Sequence, residues 1–285
     1  MIQTTIRISA LAAIIGTVAL AEDTSDKIDV LYVTHEPGKH HKYTPQREIF
    51  EKLAKESGWN LTVMSGNHDE VEEKLATQPD FGKGADVIVY NFCMAHSEKL
   101  NAPYNIINQT KEKGIPALLV HCSLHSFWAT YKKGKGKIWV HPEGANAKVK
   151  AKGKLIAQWK EKHPDAEFPA WTNMTGIAST KHAKRNPIEA KALDASHPVF
   201  IGVENYTTHA QAELYYNFIT AEESPTSKVL MTGSQGEVDA AILWEHPLGK
   251  SKSLSFTLGH GIKEWEQEPF QKILVNSVNY LASGK

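Results

Sequence analysis

Four short, nearly unbroken apolar runs, each leading into a stretch with helical patterning, constrain this chain more than any other feature. "KIDVLYVTH" (27–35), "NLTVM" (60–64), "ADVIVYNF" (85–92) and "PALLV" (116–120) are too short for buried helices and read as strands. Between them lie amphipathic segments. In "TPQREIFEKLAKESG" (44–58), Thr44 can cap, Pro45 suits the first turn, Gly58 suits the stop, and Ile49, Phe50, Leu53 and Ala54 form one apolar stripe. "DEVEEKLA" (69–76) and "YNIINQTKEKG" (104–114) repeat the pattern. Strands with no polar face, alternating with helices, predict an α/β fold with a mostly parallel sheet covered on both sides.

The last third adds three candidate strands, "KVLMT" (228–232), "AAILWEH" (240–246) and "SLSFTL" (253–258). "HPLGKS" is the expected turn of a C-terminal β-hairpin between the last two. "EPFQKILVNSVNYLAS" (268–283) is expected to close the chain as a helix opened by Pro269, with Phe270, Ile273, Leu274 and Leu281 on one face.

In sheets of this type ligands bind beyond the carboxyl ends of the strands. The loops that matter then follow strand one (His35, His40, His41), strand three (Cys93, His96) and strand four (His121, Cys122, His125). The chain carries 32 basic and 32 acidic residues, a formal net charge of +0, so nothing biases the whole protein toward nucleic acid or an anionic membrane. Its 285 residues suffice for a core without a disulfide scaffold, and two cysteines are too few to make one.

The first 21 residues read as a signal peptide: Arg7 before the apolar "ISALAAIIGTVALA", then Ala19-Leu20-Ala21 as a cleavage site. The mature chain is expected to start at Glu22, periplasmic or secreted, with no membrane association after cleavage; a retained N-terminal anchor is the alternative. A basic stretch poor in branched aliphatics, about 131–169, reads as an insertion with one short helix around "LIAQWKEKH". The oligomeric state is left open.

Several segments together resemble the ThuA-like (trehalose utilisation) family, whose flavodoxin-like core is related to class I glutamine amidotransferases. "GKHHKYTP" resembles its first-loop G-x-x-H motif with His41 in the histidine place, and "LLVHCSLHSFW" its strand followed by L-H-x-A with His121. "WTNMTGIASTKH" resembles a W-x-x-x-x-G segment ending in His182. "DASHPVFIGV" resembles an H-P-I-x-x-G linker. "ELYYNF" resembles D-E-L-Y with Glu213 as the acid, and "AAILWEHPLGKSKSLSFTLGHG" resembles the ending that closes in L-G-H, here His260. The resemblance covers 28–283 apart from the insertion. Three departures stand out: Ala212 replaces the usual Asp before Glu213, Ser251-Lys252 stand where G-R is common, and Cys122 stands where a small residue is usual.

The resemblance implies a carbohydrate site at the C-terminal edge of the sheet, with trehalose, another disaccharide or a keto-sugar as partner. His121, Glu213 and His260 are the candidate catalytic residues. His41, His125, Trp128, His182 and Tyr215 are candidates for holding the sugar, the aromatics by stacking. Two chemistries fit. His41, His121, Glu213 and His260 can ligate a divalent metal such as zinc, with cobalt or nickel also suited to these donors. Alternatively, histidine and glutamate act as acid and base without metal. A non-catalytic carbohydrate-binding module is a further reading. So is an amidase with Cys122 as nucleophile and His260 as its histidine, although the glycines of a nucleophile elbow are missing from "VHCSL". Cys122 could also pair with Cys93, since both follow strands expected to be neighbours.

Overall fold

The structure, a computed structural model, describes residues 27–127, 157–219 and 224–284, together with the backbone of two two-residue strands. The proposed signal peptide and Trp128 lie outside the described residues. Chain order runs β1 (Asp29–Thr34), α1 (Tyr43–Glu56), β2 (Asn60–Met64), α2 (His68–Thr77), β3 (Val87–Asn91), α3 (Asn101–Lys111) and β4 (Ala117–Val120). The four apolar runs are therefore strands, and the segments between them helices. α1 begins one residue before Thr44, with no side-chain cap at Lys42, whereas α2 opens on a capping box between Asn67 and Glu70.

A 3-10 turn (His121–His125) leaves β4. Then come the short strands β5 (Lys132–Lys133) and β6 (Lys137–Ile138), paired antiparallel, and a helix α4 over 157–162. They are followed by α5 (Trp171–Thr175), β7 (Ala178–His182), β8 (Glu189–Ala192), β9 (Tyr206–Thr207), β10 (Tyr215–Ile219), β11 (Lys228–Gln235), β12 (Val238–Leu248), β13 (Ser251–Phe256), α6 (Ile262–Trp265) and α7 (Glu268–Ser283).

Nine of these strands make one sheet in the order β2-β1-β3-β4-β13-β12-β11-β8-β9. The first five run parallel; the pairings from β13 outward to β9 are antiparallel. The expected C-terminal hairpin is thus built into the sheet. β12 turns at Gly249, held at φ +57° where a side chain would strain the backbone, and β13 comes back parallel to β4. That return brings the end of β13 beside the 3-10 turn.

The unbroken apolar runs are explained by burial on both faces. Val30, Tyr32, Leu118, Val120, Leu254 and Phe256 join a core covered by α1 and α7, including Phe50, Leu53, Phe270, Ile273, Leu274 and Leu281. Their alternating neighbours Leu31, Val33, Ala117 and Leu119 face Val71, Leu75, Ile106 and Ile107 of α2 and α3. The far end of the basic stretch is tied in. Trp159 and Phe168 are buried against Leu100 and Ala170, and Trp159 Nε1 donates to Asn101 Oδ1 at 2.8 Å. Among the described residues no helix is long and apolar enough to cross a membrane.

Candidate functional site

β1, β4 and β13 all point their carboxyl ends at the same edge, so the segments after them meet there. His121 is the first residue beyond β4 and holds φ +47°, the left-handed region that non-glycine residues adopt at a cost of order 1–3 kcal/mol. This turn aims its ring at the neighbouring strand. Nδ1 donates to the Thr257 carbonyl just past β13, at 2.6 Å, which leaves Nε2 as the lone-pair nitrogen. The Tyr215 hydroxyl lies 3.2 Å from that Nε2. The turn itself is braced from α5, where Trp171 Nε1 donates to the Ser123 carbonyl at 3.1 Å.

His260 arrives through Gly259, whose φ of +112° suits glycine. Gln46 of α1 fastens this bend by donating to the carbonyls of Gly259 and His260 at 3.1 and 3.3 Å. The buried Glu264 accepts the Gly259 and Gly261 amides at 3.2 and 3.0 Å. Glu213, just before β10, enters between the two histidines. One carboxylate oxygen lies 3.1 Å from His260 Nδ1 and 3.6 Å from His121 Nε2; the other lies 3.0 Å from Arg185 Nε and 3.7 Å from His182 Nε2. His41, in the loop after β1, completes the group. Its ring centroid is 4.9 Å from that of His121 and 4.8 Å from that of His260.

Electrostatics follow from burial. Desolvation works to raise the Glu213 carboxyl, but interaction with the adjacent His121 and His260 rings outweighs it and holds it below the usual carboxylate range. Desolvation pushes the His121 imidazole down, partly offset by Glu213, and brings His41 down to about 4 with help from the neighbouring histidines. The site thus sets an ionised carboxylate among buried imidazoles, with the Arg185 guanidinium 3.0 Å from it as countercharge. Burial likewise raises the Tyr215 phenol.

His41, Arg185, Glu213, Tyr215 and His260 line a cavity of about 650 Å³, together with His35, Lys39, Cys93, Cys122, His125 and His182, and His121 is buried against this wall. One nitrogen from each of His41, His121 and His260 lies within 4.8 Å of the others, and the buried His41 Nδ1 has no hydrogen-bond partner. A buried ring nitrogen left without a partner beside converging imidazoles suits a metal ligand set. The backbone carbonyl on His121 Nδ1 is the usual support of a ligating histidine. The residues therefore fit a divalent ion.

The remaining expected site residues fall in different places. His125 is buried, stacked on Tyr215 at 3.6 Å between centroids and 3.0 Å from Ser179 Oγ, so it supports the wall. His182 is half-exposed at the mouth, its Nδ1 donating to the Ala183 carbonyl at 2.8 Å. Ala212 faces the core, so the missing Asp takes nothing from this cavity. Lys252 sits at the opposite edge, so that departure does not reach the site; the guanidinium here is Arg185, which "KHAKRNP" hides among other basic residues. Cys122 Sγ turns to Cys93 Sγ at 2.7 Å rather than to His260, and the strained elbow position belongs to His121. The contact with Cys122, opposed by burial and aided by His41, brings the Cys93 thiol down to about 5.

The sequence matches the family model described as ThuA, trehalose utilisation, over residues 29–281. The chain belongs to the ThuA family. Among solved structures it is similar to a protein described as ThuA-like from Bacteroides uniformis, at 13% identity and TM-score 0.60, covering 92% of this chain and 95% of that one. A ThuA-like protein from Parabacteroides merdae aligns at 12% identity and TM-score 0.63 over 91% of both chains. A cytoplasmic protein of Salmonella typhimurium aligns at 9% identity and TM-score 0.52, over 89% and 99%. At such identities these neighbours show the shared fold. A comparison with curated protein sequences gave no match.

Proposed function

We propose that this ThuA-family protein is an exported enzyme acting on a small carbohydrate, trehalose or another disaccharide or its keto form. In this reading His41, His121 and His260 hold a divalent ion such as zinc, and Glu213 moves the proton. The observation that carries it is the convergence, at the wall of one cavity, of three imidazole nitrogens from segments far apart in sequence beside a carboxylate kept ionised. A bound divalent ion would polarise a sugar oxygen and bring the pKa of a bound water to about 7.

The chain's own residues supply the rest. Glu213, unprotonated, accepts a proton from a hydroxyl or water at the cavity floor. Arg185 orients it from the far side, 3.0 Å away. The Tyr215 hydroxyl, beside His121 Nε2, is placed to donate to a sugar oxygen. His182 and Lys39 at the mouth offer hydrogen-bonding groups to the second ring of a disaccharide. Export rests on the sequence of residues 1–21.

The test pairs elemental analysis of purified protein with a turnover screen over disaccharides and their 3-keto derivatives, for the parent and His121→Ala. The reading expects about one divalent ion per chain in the parent, little in the variant, and turnover that follows the metal. Turnover by a metal-stripped parent would transfer the chemistry to the imidazole–carboxylate pair alone. A parent that binds sugar but turns none over would make the cavity a binding module.

A further inference from the structure

The proposed chemistry makes no use of the two cysteines, yet both line the same cavity. Cys93 follows β3 and Cys122 follows β4, which are adjacent parallel strands, so the sheet itself brings the two side chains together at its active edge. Their sulfurs are in direct contact. They are the protein's whole complement of thiols. Their exposures differ: Cys122 is buried at 7%, while Cys93 is partly open to the cavity. One imidazole nitrogen of His41 lies within 4.8 Å of both sulfurs.

A pair placed this way has the parts of a thiol–disulfide exchange site: an entry thiol that a small molecule can reach, and a sheltered partner already in contact to resolve the intermediate. A purely structural staple has no need of an approach from solvent, and a packed free thiol has no need of a second sulfur against it. We propose that Cys93 and Cys122 form a reversible disulfide in the wall of the cavity, made by exchange with a low-molecular-weight disulfide.

The chemistry balances in two steps. The Cys93 thiolate attacks one sulfur of the small disulfide, forming a mixed disulfide on Cys93 and releasing one small thiolate. Cys122, losing its proton to solvent, then attacks the Cys93 sulfur, closing the intramolecular bond and releasing the second small thiolate. The protein dithiol is oxidised and the small disulfide reduced to two thiols. This step uses neither metal nor sugar, so it stands apart from the carbohydrate reading.

The test uses the folded full chain, reduced and then exposed to oxidised glutathione. Thiols are counted after rapid acid quenching and unfolding, and intact mass is measured. The expected result is loss of both thiols with loss of two hydrogens in mass, no retained adduct, and recovery of both thiols on adding dithiothreitol without denaturant. Cys122→Ser should stop at a glutathione adduct on Cys93. Cys93→Ser should react more than about tenfold more slowly, because its remaining thiol is the sheltered one. Each variant's cooperative thermal transition confirms that it is folded, and Cys93→Ala and Cys122→Ala serve in place of a serine variant that is not. Two thiols surviving in the oxidised folded chain would overturn the proposal. So would equal adduct rates in the two variants, or a bond reducible only after unfolding. Metal content and sugar turnover, measured separately, report on the other reading.

Discussion

The two ends of the strand pair β4–β13 lie in the same sheet and open on cavities of similar size, yet they differ in one respect. At the amino end, a cavity of about 530 Å³ is bordered by Glu245, Lys250 and Lys252. There Lys252 Nζ donates to Tyr280 Oη at 2.7 Å and lies 3.3 Å from Glu245 Oε2, and Tyr280 in turn donates to Glu245 at 2.9 Å. The triangle is closed. At the carboxyl end, the cavity of about 650 Å³ is bordered by buried polar atoms left without partners, among them His35 Nδ1, His41 Nδ1 and the Tyr43 hydroxyl. Volume does not distinguish the two ends; polar satisfaction does. An unpaired buried polar group costs about 1–3 kcal/mol, so a cluster of them points to a ligand that repays it.

The largest expected effect sets the two ends against each other. Glu213→Gln keeps the shape of the acid but removes its charge, and should lower sugar turnover by roughly 10²–10⁴. Lys252→Ala, the counterpart at the other end, should leave turnover within about twofold. Steady-state rates on whichever disaccharide the screen identifies decide it, and equal losses would erase the distinction.

The next concerns pH. Burial, helped by His68, brings His35 down to about 4 from an unfolded value near 6.5, and its Nε2 accepts the Cys93 amide at 3.2 Å. The unfolded chain therefore takes up a proton at this histidine before the folded chain does. Its contribution is present in full above the unfolded pKa and is lost as pH falls from about 6.5 toward 4, up to about 3 kcal/mol. His35→Gln should flatten the stability curve across that window, read from urea midpoints at stepped pH. An unchanged slope would mean that His35 is solvated in the folded state.

A smaller effect probes the brace under the site. Trp171→Phe keeps the packing but removes the Nε1 donor to the Ser123 carbonyl, and should cost about 1 kcal/mol by denaturant midpoint. Smallest of all, Lys252→Ala should cost less than about 1 kcal/mol, because its ion pair is partly exposed and Tyr280 still holds Glu245. A loss near that for Trp171 would show the closed triangle to be a stabilising network.

Much of the framework is legible in the chain itself. Residues 29–34 and 117–120 could only be strands buried on both faces, and the phase of Phe270, Ile273, Leu274 and Leu281 marked the closing helix. The segments least legible were β7 to β10. "EAKA" in β8 has helical propensity, and β9 is only two residues long; β8 is a strand because β11 offers an edge, and β9 because β8 then does. Arg185 carried no spacing signal, since its role depends on a carboxylate 28 residues further on. Trp159 sat in a stretch whose basic composition suggested an insertion, and only the nearby α3 surface shows it to be buried.

The sequence by itself determined the parallel half of the sheet and the edge at which the loops of the candidate site gather. Apolar periodicity and turn residues are local properties, and the carboxyl-edge rule follows from strand direction alone. Tertiary structure decided which polar residues face one another and with which atom. The bond that fixes the tautomer of His121 joins residues 136 apart in sequence, and the Cys93–Cys122 contact exists only because β3 and β4 are neighbours. Such contacts depend on how separate elements pack, which no local pattern records.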